Sequence, residues 1–319
     1  MVRTNKITIA RTLRLFAAVA ALVTAAACGA GPGGVRAEGS AEPTPVDLVR
    51  RVTGYTTGFS PAGGYVRPER AQRRAVAAGV GLLLDGRRDA ARARLADAGY
   101  TVRTLTDRAT GRQYAEVADR DRGSEAERGW GRVYVDLEAP ARWSVQVPHP
   151  VADQDTERLG VGVLLAARGG VLVLAGAHRD AGSGDRADVA HHRDTVFDAV
   201  CAELVRRGLP GLQIHGFADS SAPEYDVIAS TGRGTAARAD GRALADDLRS
   251  HGFEVCRAWA RTCPLAGETN VQGRRAHAAG VPFLHIEYRH GVRAREHRAV
   301  VVTRAMTAVV TRWSGSTQG

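Results

Sequence analysis

The sequence predicts an α/β protein: a mostly parallel, twisted sheet covered by helices on both faces. Three observations carry that expectation. Short apolar runs recur, VLVLAGAH at 171–178, GLQIHGF at 211–217 and VPFLHIEY at 281–288, each continuous enough for a strand buried on both faces. Stretches of helical period separate them, such as TVFDAVCAELVRRG and RADGRALADDLRSHG. Polar residues of ligand type end the runs: His149, His178, His215 and Glu287. In an open α/β sheet the rim at the carboxyl ends of the strands is where ligands bind.

From the N-terminus, a basic tail (Arg3, Lys6, Arg11, Arg14) leads into an apolar run at 15–23, then Ala25-Ala26-Ala27 and Cys28-Gly29. The run is too short to span a bilayer and has the shape of a secretory signal. Small residues before a lone Cys, with GAGPGG after it, resemble a bacterial lipoprotein signal, in which Cys28 becomes the lipidated first residue. Ala25 stands where that signal usually has Leu; plain secretory cleavage is the alternative. The expectation is a signal at 1–27, a Gly/Pro-rich tether at 28–45 and one domain at 46–315, anchored on the outer face of the membrane or secreted.

Within that domain, 46–140 reads as an elaboration on a core at 141–315. A short helix at 46–52 and a Gly-rich aromatic loop come first. A long helical pattern at 68–98 follows, with a break at Gly79 or Gly86. TVRTLTD, QYAEVAD, RVYVDLE and WSVQVPH alternate like consecutive strands extending the same sheet. Thereafter strand and helix alternate to a closing helix at 296–313. There is no internal repeat.

Arginine replaces lysine throughout, Lys6 excepted, as in a GC-rich genome, so the net charge of +10 is no nucleic-acid signature. Arginines alternate with acids along helices, and no basic patch is interleaved with aromatics, which excludes nucleic-acid binding. Export makes the cysteines legible: Cys256 and Cys263, seven apart, are spaced for a small disulfide ring, and Cys201 falls on the apolar side of a helix as a buried thiol. No G-x-S-x-G elbow is present.

WSVQVPHPVADQDTE, at 143–157, is the stretch that organises the chain. A buried strand stops at Pro148 and presents His149; Asp153 and Asp155 follow, and Thr156 reads as the N-cap of the next helix. Histidine at a strand end with an acid a few residues on is a way to hold a metal. A polar turn with a capping Thr is the bland alternative. For His215 the alternative is a satisfied core histidine, and for Glu287 an ion pair with Arg289 or Arg293. His178-Arg179-Asp180 and Asp188 with His191-His192 are either a surface charge network or part of the site. His251, His277, His290 and His297 read as solvent positions.

These residues together resemble the poly-γ-glutamate hydrolases, part of a zinc carboxypeptidase-like group that includes aspartoacylase and N-formylglutamate amidohydrolase. The matching pieces are His149 with Asp153, Thr156 and Leu159-Gly160; His215-Gly216; Asn270 with Arg274; and His285-Ile286-Glu287 with Arg293. The chain departs in having Asp, one residue sooner, where the family has Glu. Pro150-Val151 replace a Gly pair, and Gly273 replaces an Asn. The resemblance implies one Zn²⁺ on His149, Asp153 and His215, with Glu157 the alternate to Asp153. It implies Glu287 as general base and proton donor. Arg274 with Asn270 would clamp a substrate carboxylate, and Arg293 would be a second clamp or an orienter of Glu287. Outside an actinobacterial-type cell, such substrates include peptidoglycan stem peptides and γ-linked glutamate polymers. The rival from another class is a surface lipoprotein that binds a carboxylated ligand or partner without turnover.

Overall fold

The computed structural model describes residues 42–315; the targeting segment, Cys28 and most of the tether lie outside the described residues. In chain order the first elements are β1 (Thr44–Val46), α1 (Leu48–Thr56), α2 (Arg70–Leu84), α3 (Arg88–Ala96), β2 (Tyr100–Asp107), β3 (Gln113–Asp119), α4 (Arg122–Arg128), β4 (Arg132–Asp136) and β5 (Trp143–Val147). Then come α5 (Thr156–Ala166), β6 (Gly170–Leu174), α6 (Val196–Arg206), β7 (Gly211–Phe217), β8 (Val227–Ser230), α7 (Arg238–Ser250) and β9 (Val255–Arg257). The last are α8 (Val271–Ala278), β10 (Phe283–Arg289), α9 (His290–Arg293) and α10 (Glu296–Gly315).

The strands form one sheet in the order β1-β2-β3-β4-β6-β5-β7-β10-β8-β9. Its centre, β6-β5-β7-β10, is parallel, as are the β1/β2 and β8/β9 pairs. β2/β3, β3/β4, β4/β6 and β8/β10 are antiparallel. The fold is therefore α/β on a mixed, mostly parallel sheet, and the early strands do extend it.

The position of β5 decides where a site can form. β6 lies on one side of it and β7 on the other, so the chain reverses its direction of winding at β5. The intervening helices go to opposite faces. Leu159 of α5 packs with Val145, Val147 and Leu172 beneath Val302, Met306 and Val309 of α10. Phe197 and Val200 of α6 pack with Val171 and Val173 beneath Val76 and Val80 of α2. Each such side chain, fully buried, contributes about 1.5–3 kcal/mol to the fold. A reversal of this kind leaves a crevice between two diverging connections beyond the strand ends.

Several boundaries differ from expectation for local reasons. The helix expected at 46–52 begins at Leu48, because Asp47 caps it by accepting from the Arg50 N–H at 2.9 Å. Just before it, Thr44–Val46 pairs with Leu105–Asp107, so the sheet begins inside what reads as tether. The break in the long helical pattern falls at Gly86, whose φ of +73° suits glycine. RGSEAER forms α4 despite a single apolar residue, capped by Asp121 and stopped by left-handed Gly129. Cys256 and Cys263 are disulfide-bonded across the edge strand β9, and Cys201 is a buried free thiol.

Candidate metal centre

Alternation along the central strands sorts the polar residues onto one face. In β7, Leu212 and Ile214 enter the α5/α10 core while Gln213 and His215 face the other way; in β10, Leu284 and Ile286 do the same while His285 and Glu287 oppose them. Parallel pairing sets Gln213 beside His285 and His215 beside Glu287. His149 arrives from the end of β5, two residues past Val147.

Asp153 closes the cluster. Its N–H donates to the His149 carbonyl at 2.9 Å, and its Oδ2 accepts from the Gly216 N–H at 3.1 Å. That oxygen stands 3.3 Å from His149 Nδ1 and 3.4 Å from His215 Nδ1. The ligand atoms of His149, Asp153 and His215 all lie within 4.8 Å of one another, and all three residues are buried.

The far side of each imidazole is tied down. His149 Nε2 donates to Asp188 Oδ1 at 2.8 Å, while its Nδ1 is buried and makes no hydrogen bond. His215 Nε2 donates to Gln213 Oε1 at 2.8 Å. Gln213 is itself oriented: its Nε2 donates to Gln146 Oε1 and Gln272 Oε1, each at 3.2 Å. Gln272 in turn donates to the Val189 carbonyl and to Asp198, which pairs with Arg275 at 2.7 Å. Both histidines thus keep a proton on Nε2; His215 turns an Nδ1 lone pair toward Asp153, and His149 does so once it is neutral.

The electrostatics follow. Burial opposes a charge on His149, but the Asp153 and Asp188 carboxylates outweigh it, and its pKa is pushed up to about 9. Burial, reinforced by nearby His285, depresses His215 to about 4. Burial works against charge on Asp153 and Asp188, but hydrogen bonds from the imidazoles hold both well below the usual carboxylate range.

The donor set fits a metal. Two neutral imidazoles and a carboxylate are zinc-type ligands, and an orphaned, buried Nδ1 lone pair is what such an ion satisfies. A carboxylate or carbonyl behind each ligating histidine is the usual outer support.

Other expected residues stand elsewhere. Glu157 is buried with its Oε2 unpartnered, and burial raises its pKa; its interactions are with Thr56 and Val151, and it does not join the ligand cluster. Thr156 is the first residue of α5 rather than its cap, which is Asp155 in a left-handed conformation. Asn270 caps α8 by accepting from the Gly273 N–H, and its Nδ2 donates to Gln213 Oε1. Its amide thus ties the start of α8 to Gln213. Gly273 is small for a reason: a Cβ there would come within 2.9 Å of the Phe283 ring.

Arg293 is engaged with backbone and lies within electrostatic reach of Asp153 and Glu287. It is buried, and its guanidinium donates to the carbonyls of Tyr288, Gln154 and Phe217. It stitches the Asp153 loop to the ends of β7 and β10, and a Cβ at Gly216 would collide with it. Arg274 donates through Nε to the Glu268 carbonyl, and its terminal nitrogens have no partner among the described residues. Glu287 Oε1 lies 3.3 Å from His285 Nε2. His178 lies four residues beyond the end of β6 and outside the cluster.

Sequence reasoning missed Gln213, named His285 in a matching motif without giving it a role, and left Asp188 undecided. Gln213 and His285 had a signal, since each stands two residues before a candidate on the same strand face. His285 is nonetheless integral, its ring 4.4 Å from that of His215.

No sequence-family profile and no curated relative matches the chain. Among solved structures, N-formylglutamate amidohydrolase from Ralstonia eutropha is similar, at 15% identity and a TM-score of 0.39 over 56% of this chain and 94% of that one. A bacteriophage poly-γ-glutamate hydrolase shares 12% identity, with a TM-score of 0.40 over 57% and 89%. A gene product of Agrobacterium tumefaciens shares 13%, with a TM-score of 0.43 over 60% and 97%. At such identities and scores they carry no functional weight, and no family is assigned from them.

Proposed function

We propose that the chain is a zinc-dependent amidohydrolase that cleaves an amide in a carboxylate-bearing substrate, of the γ-glutamyl or cell-wall peptide kind. We further propose that it acts outside the cytoplasmic membrane, tethered through a lipidated Cys28. The observation that carries the chemistry is the convergence of two imidazole Nδ1 atoms on one carboxylate oxygen, each imidazole held from behind by an acceptor.

His149, Asp153 and His215 would hold the ion. When bound, Zn²⁺ supplies Lewis acidity, which polarises an amide carbonyl and makes water nucleophilic at neutral pH. Glu287 takes the proton of the attacking water and returns it to the departing amine nitrogen. His285 Nε2 donates to the Leu265 carbonyl at 3.1 Å and stands 3.3 Å from Glu287 Oε1. Asp188 and Gln213 hold the imidazole protons on the far nitrogens. Arg274 offers its free terminal nitrogens to a substrate carboxylate. Asn270 and Arg293 serve the scaffold. The motif resemblance to the zinc carboxypeptidase-like group agrees with the roles of His149, Asp153, His215, Glu287 and Arg274 and differs over Asn270 and Arg293, and the Cys256–Cys263 disulfide suits an oxidising compartment.

The deciding measurement is the metal content of the purified protein beside a His149→Ala/His215→Ala double variant. About one zinc per chain in the parent and none in the variant supports the hydrolase. No zinc in the parent after loading sinks it and leaves a carboxylate-binding lipoprotein. Export is tested separately: Cys28→Ala should move the chain from the membrane fraction to the medium, and retention on the membrane would overturn the lipid anchor.

A further inference from the structure

Beside the metal centre lies a cavity that the roles above leave unused. It has a volume of about 510 Å³ and opens where β6 ends, between α1, α4 and the turn at 176–178. That volume is within the range of small-molecule sites. Backbone contacts locate it. The Ala175 N–H donates to the Val147 carbonyl at 3.0 Å, so the turn runs alongside the segment that delivers His149. Arg179, next to the cavity residue His178, pairs with Asp188, the carboxylate that holds His149.

The lining is rich in donors. Arg51 is committed to Glu116, and Arg132 to Glu116 and Glu125. Arg50 and Arg122 also line the cavity, and their guanidinium groups make no ion pair or hydrogen bond among the described residues. His178 Nδ1 accepts from the Asp180 N–H at 3.2 Å, which leaves the ring proton on Nε2 as a donor. The Tyr55 hydroxyl is buried without a partner, beneath Arg132 at 3.8 Å from its ring centroid. The one lining carboxylate, Glu125, is occupied by Arg132. Tyr55 and Phe59, packed edge to face at 5.1 Å, add apolar surface.

Two free guanidiniums and an imidazole N–H, with the one lining carboxylate already taken, select an anion. The spread of these donors over a cavity of this size suits more than one carboxylate. We propose that this cavity is a specificity subsite for a peptide carrying two or more carboxylates, with Arg50, Arg122 and His178 as its recognition residues. The proposal rests on the hydrolase reading for its meaning as a substrate subsite. It gives the N-terminal segment, which the motif resemblance does not reach, a functional part: α1 and α4 build the wall.

The test is calorimetric titration of the full chain, stripped of metal by chelation, with triglutamate and with its uncharged counterpart triglutamine. Triglutamate should bind, and triglutamine at least about tenfold more weakly. Arg50→Gln/Arg122→Gln, at exposed positions without partners, should bind triglutamate at least about tenfold more weakly while taking up zinc as the parent does. Absent triglutamate binding, equal binding of triglutamine, or an unchanged double variant would each overturn the subsite. Zinc uptake separates the two ideas. Charge-selective binding in a parent that takes no zinc supports an acidic-peptide site and overturns the hydrolase. Zinc uptake with an unaffected double variant does the reverse.

Discussion

Asp188 decides which nitrogen of His149 faces Asp153. Its carboxylate accepts from Nε2, and the lone pair of Nδ1 is left for a metal. Replacing it with Asn removes the charge and leaves the size. Asp188→Asn should weaken zinc binding about 10- to 100-fold, read by competition with a chromophoric chelator; unchanged affinity would remove Asp188 from the site. Nothing local marks this residue, which lies 39 positions from His149 in a Gly/Asp loop. Gln213 and His285 were more legible, because GLQIHGF and FLHIEY each place two polar residues on one face of an otherwise apolar strand. Arg293 shows the converse. Its spacing from Glu287 suggests a clamp, yet its partners are carbonyls of three separate segments.

At the scale of elements, the loop at 149–155 bears the strain. Val151 and Asp155 flank Asp153 at φ of +69° and +65°, where a β-branched residue is an outlier. The resembled family has glycines after its first histidine, and Val151 keeps a backbone that suits glycine. Since a left-handed Cβ costs about 1–2 kcal/mol, Val151→Gly should be more stable than Val151→Ala by about 1 kcal/mol in urea unfolding. Ala being equal or better would mean that the loop relaxes freely. Helix positions were readable because periodicity and caps are local; Thr195, accepting from the Asp198 N–H at 3.0 Å, caps α6 where the helical stretch TVFDAVCAELVRRG begins. Strand ends were not. β6 stops at Leu174 because its neighbour β4 begins opposite, at Arg132, so the ladder runs out before His178.

For the whole molecule, the two central histidines set opposite pH limits on the metal-free protein. His149, raised from 6.5 to about 9, contributes stability that is complete below 6.5 and lost as pH climbs through 9. His215, lowered from 6.5 to about 4, contributes stability that is present above 6.5 and lost as pH falls through 4. Each flank corresponds to about 3 kcal/mol at about 1.4 kcal/mol per pH unit. Urea unfolding of the chelated protein should therefore peak near pH 6.5, and zinc should remove the alkaline flank by holding His149 neutral. A profile flat from pH 5 to 9 would contradict this. The amino-acid sequence by itself determined the α/β class, most helices and strands, the disulfide pair, and His149, Asp153 and His215 as candidates that come together. These rest on periodicity, apolar runs and short spacings, which act within a few residues. Only the tertiary structure decided that Asp188 and Gln213 orient the histidines, that Arg293 bonds three backbone carbonyls and Asn270 the Gln213 amide, and that α1 and α4 wall a cationic cavity. Those outcomes depend on which distant segments the β5 reversal brings to one rim, and no local pattern encodes that.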